Sequence, residues 1–137
     1  MQQVPGLVLT KNANGAVLAY RCVTFGGAQA VTQGAKVLGV AQTNAADGVD
    51  FAVVVDGTVI VEAGAAVAIG DALICDNQGR AIPSTGPLAL KAGATAVTSA
   101  AANGAVLQGG DPPEFVFADA MEAAPFAGGK IEVLLRR

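Results

Sequence analysis

Histidine is absent from this 137-residue chain, which removes the commonest general base, the usual catalytic triads and the commonest metal ligand. Charge is scarce as well: 14% of the residues are charged, and the formal net charge is −3. No cluster of lysine and arginine forms along the chain, so a nucleic-acid partner, which needs cations to replace counterions along the phosphates, is not expected. Aromatic residues make up only 4%, so the core has to be built from small and β-branched side chains. No uncharged apolar run reaches the ~18 residues of a membrane-spanning helix. The opening MQQVPGLVLTKNANG has neither a basic leader segment nor a small-residue cleavage site after an apolar stretch, and the reading is a soluble protein made in a cytoplasm. The two cysteines, Cys22 and Cys75, stand far apart inside apolar runs, and buried free thiols are expected there rather than a disulfide or a zinc site.

What the chain does have is apolar bulk and frequent punctuation. It is 53% hydrophobic, more than a disordered chain carries, and its length suits one domain, residues 1–137. Valine and isoleucine favour pleated, half-buried surfaces because a branched Cβ loses little freedom there. Eighteen glycines and six prolines fall at the spacing of turns between short strands and leave little room for helix. The fold class expected is therefore mainly β.

Along the chain, residues 1–6 are short and polar, with a proline at position 5, and read as an extended N-terminal arm. Residues 7–10 read as a first strand and residues 12–15 as a turn. Residues 16–25 alternate Val17, Ala19, Arg21, Val23 and Phe25 with Leu18, Tyr20, Cys22 and Thr24, which predicts a strand apolar on both faces. Residues 36–42 predict another. Residues 51–55 and 58–62, separated by Asp56 and Gly57, predict a β-hairpin, because Asp-Gly between β-branched runs is a strong hairpin signal. Residues 71–76 and 80–82, joined at Asn77, Gln78 and Gly79, predict a second hairpin that Pro83 ends. Residues 84–113 are a low-complexity mixture of Ala, Gly, Thr and Ser and read as a long loop, within which 95–102 fit a helical turn or a strand. Residues 114–124 begin strand-like and end in helix formers, and 130–135 read as a terminal strand.

Candidate chemistry reduces to carboxylates. Asp47, Asp50 and Asp56 lie close together, but their spacing fails the calcium-loop pattern and they read as turn formers. Asp111, Glu114, Asp119 and Glu122 lack the aromatic surroundings of a glycosidase pair. The glycine pairs at 26–27, 109–110 and 128–129 match no phosphate-binding or dinucleotide fingerprint. The stretch GAAVAIGDALICDNQGRAI resembles the paired hairpins of biotinyl and lipoyl carrier domains, but its turn has no lysine to carry the group. No cofactor, metal or catalytic residue is expected, and the chain is not read as an enzyme; a deep pocket with converging polar groups would revive that reading.

Three segments, taken together, resemble a family of small tailed-bacteriophage proteins known as capsid cement or head decoration proteins. KVLGVAQTNAADGVDFAVVVDGTVIVEAGAAV is similar to the family's Gly-Val-Ala strand, Ala/Gly turn and valine-rich hairpin. AIGDALICDNQGRAI is similar to its Gly-Asp-x-Leu strand and Asp-x-x-Gly turn, and DAMEAAPFAGGKIEVLLRR to its closing Glu-Ala-Ala and Ile-x-Val-Leu-Leu strand. Residues 84–113 are longer than the family's usual connection, and Asp111, Pro112, Pro113 and Glu114 replace a plain strand start. The resemblance implies a small β-barrel or β-sandwich-like domain on the outer face of the phage capsid. Its partners would be the major capsid protein and further copies of itself, as homodimer or homotrimer, in a structural virion protein made in the host cytoplasm. Within that reading Val4, Pro5 and Leu7 of the arm are the candidate capsid contact, with the 84–113 loop second. A tail or baseplate component, or a small β-rich adhesin, would share the same character.

Overall fold

In the computed structural model, which describes residues 2–84 and 114–136, the secondary structure is entirely strand. There are eight strands: β1 Pro5–Asn12, β2 Cys22–Val23, β3 Gly39–Ala41, β4 Asp50–Glu62, β5 Ala72–Cys75, β6 Ala81–Pro83, β7 Ala118–Ala120 and β8 Lys130–Leu135. They form one sheet in the order β2-β3-β4-β8-β7-β5-β6, with β1 added to β4 off that path, and every ladder is antiparallel. The two ends of the path come together. Cys22 N–H donates to the Gly79 carbonyl at 2.7 Å and Gly64 N–H to the Ala81 carbonyl at 2.8 Å, so the sheet curls into a nearly closed barrel. The expected β class and barrel are what is found. Residues 85–113, including the expected loop and the 95–102 alternative, lie outside the described residues.

The centre of the fold is β4, and it corrects the first predicted hairpin. Residues 50–62 are one continuous strand. A two-residue hairpin of the expected type needs positive φ at both central residues, but only Gly57 adopts it, at 89°. Asp56 instead turns its carboxylate onto the Gly57 N–H, 2.9 Å away. The result is an irregularity inside a strand, and it changes which face each side chain occupies. Before it, Val54 enters the main core while Phe51, Val53 and Val55 enter a second apolar cluster; after it, Val59 and Val61 enter the main core. A one-residue slip in a period-two element has this effect.

The second cluster contains Ala13, Val17, Val23, Leu38, Ala41 and Ala45 beside those β4 side chains, and it explains another correction. Residues 16–25 are not one strand. Val17 makes a lone bridge to Ala45, Tyr20 has φ at 63°, and only Cys22 and Val23 are strand. The segment folds over the outside of β4 so that its two apolar faces serve two clusters: Cys22 lies in the main core and Val23 in the second. The strand expected at 36–42 is confined to β3, where Gly39 passes so close to β4 that a Cβ there would overlap the Val54 carbonyl oxygen.

Elsewhere the local signals decide, except that Pro83 does not stop the second ladder before it but is the last residue of β6, opposite Leu73. β5 and β6 pair through Cys75↔Ala81 and Leu73↔Pro83 around a turn with Gly79 at φ 76°. The Asp76 carboxylate holds that turn, accepting from the Gln78 and Arg80 N–H groups at 2.8 Å each and from Arg80 Nε at 2.9 Å. β8 spans the predicted 130–135. In residues 114–124 the strand reading prevails at β7, with no helix among the described residues.

Candidate functional site

The N-terminal stretch is extended, as expected, but it is paired rather than free. Pro5 opens β1 opposite Gly57, and Leu7 lies opposite Asp56. Val4 accepts from the Thr58 N–H at 3.0 Å and donates to Thr58 Oγ1 at 2.8 Å, while Gln3 Oε1 accepts from the Ile60 N–H at 3.2 Å. The glycine at 57 makes this approach possible, since a Cβ there would overlap the Val4 carbonyl oxygen and the Gly6 nitrogen. The structure therefore places Pro5 and Leu7 on β1 and docks Val4 just before it.

That strand has an unusual setting. β1 and β3 both pair with Val53 and Val54, so they flank β4 on opposite sides, and among the described residues β1 has no strand partner on its far edge. Every residue of β1 is exposed except half-buried Lys11. Val4, Leu7, Val8 and Leu9 are 58%, 50%, 44% and 39% exposed, and Val8 and Leu9 share the faces of Val54 and Val53 respectively. The strand thus presents apolar side chains on both faces as well as unpaired main-chain groups along one edge. The apolar surface continues across the sheet through Thr58 to Leu134, its register partner on β8, which is 47% exposed. Sequence reasoning missed Val8, Leu9 and Leu134; three consecutive apolar residues at 7–9 were the available signal of a strand needed on both faces.

The polar groups around this surface are few. Asn12 Nδ2 donates to Asp50 Oδ1 at 3.0 Å and to the Gly48 carbonyl at 2.8 Å, and Asp47 Oδ1 accepts from the Gly15 N–H at 2.9 Å. Asp47, Asp50 and Asp56 therefore each hold local backbone or a neighbouring amide. Asp119 pairs with Arg136, whose Nε lies 2.8 Å from Oδ2; that hydrogen bond holds the Asp119 carboxyl below its ordinary range. Glu122 Oε1 accepts from the Glu132 N–H at 3.1 Å, and Asp111 lies outside the described residues. Cys22 and Cys75 are buried free thiols, and burial pushes both upward, Cys22 the further. A shallow groove of about 350 Å³ is lined by Thr32, Gly34, Ala35, Lys36, Glu114 and Phe115 among others. It is mostly apolar, with one ammonium and one carboxylate at its rim.

The described residues thus form an all-β, nearly closed barrel with an exposed apolar strand on its surface. The sequence profile of the phage cement proteins matches residues 1–110, and the chain belongs to that family of phage structural proteins. The match takes in the two segments of resemblance within 36–82 and the N-terminal strand, while the third segment, 119–137, lies beyond it. Among solved structures the chain is similar to the head fiber gp8.5 N base of bacteriophage phi29, at 19% identity and a TM-score of 0.63, covering 95% of this chain and 93% of that one. At that identity the likeness speaks for the fold. No curated protein matches the chain.

Proposed function

We propose that this protein is a single-domain, non-catalytic component of the virion that binds the outer surface of the phage capsid and cements the head. Family membership supports the virion role, and the exposed β1 carries the assignment of the contact. The pairing of Pro5 and Leu7 with β4 and the hydrogen bonds from Val4 to Thr58 support this reading, because a docked stretch displays its apolar surface at less ordering cost than a free arm. The proposed partners are the major capsid protein and further copies of the chain. Many copies on one shell let individually weak contacts hold through repetition and bridging.

The test is to mix purified protein with heads lacking it and separate them on a gradient. Co-sedimentation at a saturating, symmetry-related copy number supports the proposal, and Leu7→Ser should lower that occupancy with little change in the melting temperature, since Leu7 is half exposed. Protein that stays at the top of the gradient with every form of the head would overturn it and direct attention to the tail and baseplate.

A further inference from the structure

The free edge of β1 carries its own complement. Among the described residues no strand pairs with that edge, and from Gly6 to Thr10 it carries no charged side chain; Pro5 and Lys11, residue types that commonly guard sheet edges, bound this open stretch at its two ends. We propose that β1 pairs antiparallel with β1 of a second copy, across a twofold axis at Val8. This rests on the self-association included in the proposed function and names its surface.

The register follows from the residues. An antiparallel pair centred on Val8 sets Val8 against Val8 of the partner, Leu7 against Leu9, Gly6 against Thr10 and Pro5 against Lys11. The apolar centre then meets itself, as a twofold interface requires. Charge fixes the ends. Lys11 is the one lysine or arginine among the described residues with neither an ion pair nor an aromatic ring beneath it. Beyond the partner's β1 lies the Asp56 carboxylate, opposite Leu7 in the β1–β4 register, with Oδ1 engaged by the Gly57 N–H and Oδ2 turned toward Gly6. Two strand spacings separate the Lys11 and Asp56 backbones, about 10 Å, a gap that a lysine and an aspartate side chain together span. The twofold makes two such pairs. A parallel pairing in register would place Lys11 beside Lys11.

The pairing also has a consequence for the capsid-facing surface. Leu7 and Leu9 of both copies fall on one face of the joined ribbon, doubling the apolar stripe that one chain presents.

The test uses the full chain. Both native cysteines are buried, so Val8→Cys adds the one exposed thiol among the described residues, and mild oxidation should convert it to a covalent dimer. Ile69→Cys, 72% exposed and away from β1, serves as the collision control. Sedimentation equilibrium should show a concentration-dependent dimer that Lys11→Glu weakens about fivefold, with a smaller effect in an Asp56→Asn background. Cross-linking of Val8→Cys no faster than the control, or a wild-type chain that stays monomeric, overturns the pairing. A photo-reactive residue at position 8 on assembled heads separates it from the capsid reading. Adducts between two copies support the pairing, whereas adducts to the major capsid protein overturn it and leave head binding standing.

Discussion

The two halves of β4 are nearly the same in composition and different in every structural respect. Val53, Val54 and Val55 are all buried, because loops fold over the outside of the barrel and make a second cluster there. In the other half Val59 and Val61 are buried but Ile60 between them is only half so, as in an ordinary barrel wall with one face inward. The first half is held between β1 and β3, the second by β8 and the docked Val4 and Gln3. Valine content therefore says little about the part a strand segment plays; the face change near Gly57 and the partners on each side decide it.

The sharpest way to break this difference is Gly57→Ala. It introduces a Cβ where φ is 89° and where Val4 and Gly6 leave no room, so a loss of about 3 kcal/mol or more is expected in urea unfolding. Truncation within each half should scale with burial. Val54→Ala removes a methyl pair from the main core and should cost about 2–3 kcal/mol, whereas Ile60→Ala, half-exposed, should cost about 1 kcal/mol. Equal losses at the two sites would mean that the halves are alike after all. Thr58→Val removes the hydroxyl that accepts from Val4 and should cost under about 1 kcal/mol, with hydrogen exchange rising at Val4 first.

Two smaller effects appear against pH. Burial raises the Cys22 thiol, so the thiol contribution is complete below about 8.5, the ordinary thiol value. It falls as pH rises toward the folded value, because only the unfolded chain ionises; native thiols should resist labelling across that range. The Asp119 carboxyl is lowered by Arg136, so its contribution is present above the ordinary carboxylate value of about 4 and disappears as pH falls through the depressed value. Both side chains are well exposed, which makes this the smallest effect, visible as a difference between Arg136→Ala and wild type that closes in acid.

Where local chemistry determines structure, the sequence was readable. Residues 130–133 alternate polar and apolar and open β8, although Glu132 is buried with its neighbours, and the turn at Asn77, Gln78 and Gly79 joins β5 to β6 because the Asp76 carboxylate closes it internally. Asp56 and Gly57 carry the same local signature as a hairpin. Whether Gly57 ends a strand or offsets one depends on β1 and β8 arriving on either side, which no window around residue 57 contains. The same limit hid the nature of the candidate site. Val4, Pro5 and Leu7 are legible as apolar residues of an N-terminal arm and so as a candidate capsid contact, but the groups that dock the arm belong to β4: residues 50–57 pair with β1, and Thr58 and Ile60 hold Val4 and Gln3. Residues 16–25 misled for a related reason: a segment apolar on both sides was read as one strand serving one core, when it bends at Tyr20 to serve two.

The partners of β4 also come from opposite ends of the described chain. β1 and β3 are already synthesised when β4 emerges, so its first half can be sealed at once. Residues 58–62 must wait for β8, and until then they leave an open ladder of valine and isoleucine to which a neighbouring nascent chain could add. Closure by the last strand is a long-range step of the kind that slows folding. The yield of folded protein at high chain concentration would then be limited by how quickly each chain receives its own β8.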